Sequence, residues 1–76
     1  MILFQKYIIR NPEIMRGKPV IKGTRITVEL VMRKLAGGYT VEEIIKMYPH
    51  LNTRQINAAC EYAAEMIANE KLFEAA

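Results

Sequence analysis

Five polar residues in the second half of the chain have side chains that proteins use to read nucleic acids. They are Asn52, Thr53, Arg54, Gln55 and Asn57. Arginine bonds to guanine, asparagine and glutamine pair with adenine, and threonine contacts phosphate. If these residues open a helix, its N-terminal amides and dipole would also attract phosphate. Asn52, Thr53 and Gln55 could instead serve only as helix caps, so Arg54 and Asn57 are the better contact candidates.

The charges of the chain are divided unevenly. Residues 1–34 carry eight Lys and Arg against two Glu, a net charge of +6, whereas residues 35–76 carry three against six, a net charge of −3. Such asymmetry is typical of a chain whose basic part faces a polyanion or an acidic partner, although a solvated basic surface would look the same. The candidate contact residues in the basic part are Arg16, Lys18, Lys22 and Arg25.

Catalytic and metal-binding patterns are missing from the sequence. The chain has neither serine nor aspartate, one Cys and one His, which excludes a Ser-His-Asp triad, an internal disulfide and a cysteine-rich zinc site. Cys60 falls on an apolar helical stripe and is predicted to be a small core residue. Gly17-Lys18-Pro19 is not a phosphate loop, because proline stands where that motif needs Ser or Thr. We therefore expect no enzyme, cofactor, metal or small-molecule substrate.

The length of 76 residues and a composition with 51% hydrophobic and 25% charged residues indicate one small globular domain. Domains of this size are thinly stable, and oligomerisation is a common remedy. No apolar run is long enough to span a membrane, and the first residues lack the pattern of a signal peptide. We therefore expect a cytoplasmic protein.

An N-terminal arm is predicted before the helices. The segment 3–10 is rich in β-branched and aromatic residues and predicts a short strand. Asn11-Pro12 ends it, and an ordered loop follows that is punctuated by glycine and proline, with a second short strand at Val20 and Ile21. The segment 1–26 is therefore predicted to be a β arm with a loop.

Three helices are predicted within residues 27–76. Thr27 can cap a helix over residues 28–36, which Gly37-Gly38 ends. Thr40 and Glu43 form a capping box for a second helix that stops before Pro49. The third helix is predicted from about Arg54 to near Phe73, with an apolar face at Ile56, Cys60, Ala63 and Ile67 flanked by Ala59, Met66 and Glu70.

The order of these elements predicts a mainly α fold. The predicted order is a short second helix, a turn of about four residues and a longer third helix. This is the order of a helix-turn-helix unit, in which the later helix enters the DNA major groove. Many small bundles share this order without binding DNA. Glu61 and Glu65 would repel phosphates, so DNA contact is expected only at the first two turns of the third helix and at the basic arm.

One long run and four shorter segments resemble a known family. Residues 11–28 read NPEIMRGKPVIKGTRITV, and later come LAGG, TVEEII, YPHLNTRQI and AACEYA. Together they resemble the bacterial and archaeal family called domain of unknown function 433, over nearly the whole chain.

The resemblance implies a homeodomain-like or winged-helix-like DNA-binding fold and a role as a VapB-like antitoxin. Members are often encoded beside a small PIN-like nuclease toxin, whose acidic metal site would accept an arginine or lysine. Arg16, Lys18 and Arg25 are candidates for contact with either operator DNA or toxin, and Arg25 could instead fix the loop by bonding carbonyls. A homodimer, paired through the β arms, would present two third helices to DNA half-sites. The other class considered is a protein-interaction module without specific DNA binding.

Overall fold

The computed structural model of the protein describes residues 4–69. Helix α1 (Phe4–Tyr7) leads directly into strand β1 (Ile8–Ile9), and strand β2 (Val20–Ile21) follows after a loop. Three further helices complete the fold, namely α2 (Val28–Ala36), α3 (Val41–Met47) and α4 (Thr53–Ala68). The predicted mainly α domain with a short β arm is confirmed.

The N-terminal arm differs from its prediction. Residues 4–7 form a helical turn, and only Ile8 and Ile9 are extended, pairing antiparallel with Ile21 and Val20 respectively. The cause is a set of contacts with residues of α4 that are distant in sequence. The Phe4 ring packs edge-on against Tyr62 at 5.2 Å between centroids, and the Phe4 amide donates to the Glu61 carboxylate at 2.7 Å. These contacts outweigh the β propensity of the segment.

The three long helices begin where the sequence predicts. The hydroxyl of Thr27 accepts from the Leu30 amide at the start of α2. Thr40 and Glu43 form the predicted capping box at the start of α3, so each satisfies an amide that the helix leaves unpaired. α2 ends at Gly37, and Gly38 takes a φ of +98°, the left-handed conformation that glycine tolerates.

The core lies where the β arm, α2, α3 and α4 meet. Val20, Ile21, Val31, Ile44 and Ile56 are fully buried in it. Tyr62, Ala58 and Ala59 line the buried side of α4. Both strands contribute to this one core, so the arm is an integral part of the domain.

The buried face of α4 is rotated from its predicted position. It centres on Ile56, Ala59 and Tyr62, whereas Cys60 is half-buried and Ile67 is 62% exposed. The prediction was right for Ile56 and Ala59 and wrong for Ile67, because the arm packs on the Tyr62 side of α4. Ala68 is the last helical residue and Asn69 caps it; the predicted end near Phe73 and the flanking Glu70 lie outside the described residues.

None of the helices described between residues 4 and 69 has the length and apolar character needed to cross a membrane.

Candidate nucleic-acid interface

The first turn of α4 projects into solvent. Thr53, Arg54 and Asn57 are all exposed, while Gln55 is half-buried. Asn52 Oδ1 accepts from the Gln55 amide at 2.9 Å, and Gln55 Oε1 accepts from the Asn52 amide at 2.8 Å. Because this capping box uses the Gln55 side-chain oxygen and holds the side chain against Asn52, Gln55 is less free than Asn57 to pair with adenine. Thr53, Arg54 and Asn57 are the better placed of the four candidates.

The N-terminal arm limits how far this exposed face extends. Arg54, Asn57 and Glu61 are three and four residues apart, so they share one side of α4. The Glu61 carboxylate accepts from the first amide of α1, and Phe4 covers Tyr62 beside it. The carboxylate that would repel a phosphate is therefore engaged by the arm, at the end of the exposed polar face that Arg54 and Asn57 begin.

The predicted contact residues of the arm lie on the signature loop, by which we mean residues 11–27. Its first part makes a turn in which Met15, Arg16 and Gly17 all have positive φ, at 49°, 59° and 80°. Hydrogen bonds hold this turn, from the Gly17 amide to Ile14 O at 3.0 Å and from Arg10 Nε to Gly17 O at 3.2 Å. Left-handed backbone is costly for Met and Arg, so the surrounding contacts impose it. The turn presents Arg16 to solvent.

Lys18 is tied to α2. Its ammonium lies 3.3 Å from Glu29 Oε1, and Arg33 Nε lies 3.0 Å from Glu29 Oε2. The Arg33 hydrogen bond, and then the Lys18 hydrogen bond and charge, lower the pKa of Glu29. All three side chains are largely exposed. Lys18 therefore brings less free positive charge to a partner than Arg16 does.

The second part of the signature loop carries Lys22 and Arg25. The Thr24 amide donates to Ile21 O at 3.0 Å, closing a β-turn in which Gly23 has a φ of +81°. This is the position of a type II turn that favours glycine. Arg25 is exposed, and its guanidinium makes no hydrogen bond with any residue from 4 to 69. It does not fix the loop through carbonyls of that region.

The predicted contact residues form two groups rather than one cluster. Hydrogen bonds and ion pairs join Arg10, the Met15–Gly17 turn, Lys18 and α2 to one another. Among the residues described, none joins the signature loop to Thr53, Arg54 or Asn57. Sequence reasoning missed the role of Arg10 and the left-handed turn, for which Gly17 was the one available signal.

Other reactive side chains form no site in the described region. Residues 4–69 contain no group of three or more His, Cys, Asp or Glu placed to hold a metal ion. Cys60 is half-buried, and this burial raises the pKa of its thiol. His50 is exposed in the turn before α4.

Comparison with known proteins places the chain in a family. The uncharacterized protein y4eO of Sinorhizobium fredii is 34% identical over 59 residues, which cover 78% of this chain and 27% of the relative. The chain thus spans about a quarter of the length of that relative. No solved structure matches the chain. The model of the family described as protein of unknown function (DUF433) matches residues 8–63, and the chain therefore belongs to the DUF433 family.

Proposed function

We propose that this protein binds operator DNA through the first turns of α4 and acts as the antitoxin of a toxin–antitoxin pair. The observation that carries the DNA-binding part is the exposed tip of α4. Thr53, Arg54 and Asn57 project from it, directly after α3 and the short turn 48–52. This is the order in which a helix-turn-helix unit presents its second helix to the major groove.

Electrostatics also favour DNA contact at the first turn of α4. α4 begins with no acidic residue in its first turn, so its positive dipole end and Arg54 act in the same direction on a phosphate. The nearest carboxylate on the same side of the helix, that of Glu61, is engaged by the Phe4 amide. DNA would thus meet a cationic tip.

The antitoxin part of the proposal is supported by the resemblance stated above and by the cationic signature loop. Arg16 is exposed on a backbone that its surroundings hold in a left-handed conformation. Strained residues of this kind cluster at sites of recognition. An arginine so presented suits a bidentate contact with the carboxylates of a PIN-like nuclease. A homodimer would place two α4 tips at half-sites about one DNA turn apart.

DNA binding can be tested by titrating the full chain against a duplex from the region upstream of its own gene, at several salt concentrations. We expect retardation that depends on the duplex sequence and weakens steeply as salt rises. Arg54→Ala should lower affinity by about tenfold with little change in melting temperature. Arg33→Ala is the matched control, because Arg33 is an exposed cation on α2, outside the arm and α4; it should leave affinity almost unchanged.

A module that binds only proteins is the second candidate function. The observation that favours it is a pair of exposed apolar side chains on the last turns of α4, Met66 at 46% and Ile67 at 62%. Equal, sequence-independent retardation of wild type and Arg54→Ala would reject the DNA-binding proposal and leave this one. Solution mass with and without the product of the adjacent reading frame tests the antitoxin role, which fails if no complex forms with a nuclease-like product.

A further inference from the structure

The signature loop holds an unusually one-sided stretch of charge. Residues 14–28 contain four basic side chains and no acidic one. The flanking acid on the C-terminal side, Glu29, is neutralised by Lys18 and Arg33. Glu13, the flanking acid on the N-terminal side, is exposed to solvent. Exposed cations such as Lys22 would attract a negatively charged group near residues 22–25.

A recess lies within this stretch. It has a volume of about 320 Å³ and is lined by Ile14, Gly23, Thr24 and Arg25. The amides of Gly23 and Arg25 have no acceptor among residues 4–69. A Cβ placed on Gly23 would meet no atom within 4 Å, so the backbone there is open to close approach by a ligand.

The walls of the recess are held in place by the turn. The Thr24 hydroxyl donates to Ile21 O at 2.7 Å and accepts from the Ile26 amide at 3.0 Å. Ile21 and Ile26 are buried, which anchors both ends of the turn in the core. The backbone donors at Gly23 and Arg25 are thus on a fixed frame, which lowers the entropic cost of binding.

A second recess nearby is less suited to an anion. It has a volume of about 290 Å³ and is lined by Met15, Arg16 and Lys18. There the Lys18 ammonium is already paired with the Glu29 carboxylate, so it has less charge to offer an incoming anion. Met15 adds an apolar side chain that offers an anion no donor.

We infer that the recess formed by Ile14, Gly23, Thr24 and Arg25 binds a single phosphate group, either free or within a nucleic-acid backbone. Arg25 supplies the two-pronged donor that fits phosphate oxygens. The amides of Gly23 and Arg25 supply uncharged donors of the kind found in backbone phosphate sites. Since this surface is not joined to the α4 tip, the inference does not depend on the proposed function.

The test uses ¹⁵N-labelled full-length protein titrated with sodium phosphate, with sodium acetate and chloride at matched ionic strength as controls. We expect the amide signals of Gly23, Thr24 and Arg25 to shift and saturate with phosphate more strongly than with acetate. Arg25→Gln should weaken phosphate binding by about tenfold, the loss typical of one charge-assisted contact. Arg25→Lys should recover only part of it, because lysine lacks the planar fork.

Lys46→Gln is the matched control, since it removes an exposed cation on α3, outside the recess, and should leave phosphate binding unchanged. Equal shifts in wild type and Arg25→Gln, or no saturation with phosphate, would overturn the inference. A short DNA duplex distinguishes the two sources. If the phosphate belongs to DNA, the duplex shifts the same three amides; if it is free, the duplex leaves them in place whether or not the α4 tip responds.

Discussion

The two candidate surfaces of this protein are built in opposite ways. The tip of α4 is defined by local rules, because Asn52 and Gln55 satisfy one another's amides within four residues of sequence. The signature loop is defined by contacts at a distance, since its strand β2, its turns and its strained residues are held by β1, the core and α2. Changes at the tip should therefore alter binding with little effect on folding, whereas many changes in the loop should alter both.

The largest expected effect concerns the core that joins the two regions. Ile21 in the loop and Ile56 in α4 are both completely buried. We expect Ile21→Ala and Ile56→Ala each to lower the free energy of unfolding by about 2–5 kcal/mol, through lost transfer energy and a cavity. Urea denaturation followed by circular dichroism measures this. Ile9→Ala, at a half-buried position of β1, is the control with a smaller expected loss.

A loss at Ile21 much smaller than that at Ile56 would contradict this view of the fold. It would mean that the loop is a peripheral attachment, and that it is less rigid than the proposed phosphate recess and the left-handed turn at Arg16 require. Values within about 1 kcal/mol of each other would place both regions in one cooperative unit.

The sequence was informative where structure is local. The caps at Thr27, Thr40 and Asn52 and the Gly37-Gly38 helix end each need only a few neighbouring residues, and all are confirmed. The exposed polar character of Thr53, Arg54 and Asn57 followed from the position of the cap.

The sequence misled where partners are distant. Residues 4–7 were predicted as strand because nothing near them reveals Glu61 and Tyr62, more than fifty positions away. The exposure of Ile67 was missed for a related reason, since helical spacing gives the period of a face but not which elements pack on it. The left-handed Met15 and Arg16 contradict residue preference altogether.

A second, smaller effect concerns the backbone of the signature loop at Gly23 and Arg16, which both have positive φ. Gly23 has a φ of +81° and no steric neighbour, so Gly23→Ala should cost about 1 kcal/mol of stability from backbone strain alone. At Arg16, where φ is +59°, a change to glycine should relieve backbone strain. Arg16→Gly should be more stable than Arg16→Ala by about 1 kcal/mol, although both lose the guanidinium. Thermal melts of the four proteins, wild type included, measure both differences.

The substitutions at Arg16 and Gly23 test two different turns of the signature loop. If glycine is no better than alanine at position 16, the turn at Met15–Gly17 is not left-handed in solution, and its presentation of Arg16 loses its physical basis. If Gly23→Ala is neutral, the Ile21–Thr24 turn has relaxed to another type. Gly38→Ala, at a φ of +98° beyond the end of α2, provides a helix-end reference for the same strain.

The smallest expected effect concerns the ion pairs that connect the loop to α2. Arg33 first, and Lys18 second, lower the pKa of Glu29 below its ordinary value of 4.5. Because the folded pKa is the lower one, the stabilisation is present above pH 4.5 and is lost as the pH falls through the folded value. The carboxylate is exposed, so the effect is modest.

Melting temperatures of wild type and Glu29→Gln should differ near neutral pH and converge in acid, and Lys18→Gln should add no further loss in the Glu29→Gln background. A constant difference across the pH range would show that Glu29 acts through packing, and that the loop is held on α2 by its backbone bond from the Val28 amide to Pro19 O, at 2.9 Å, rather than by charge.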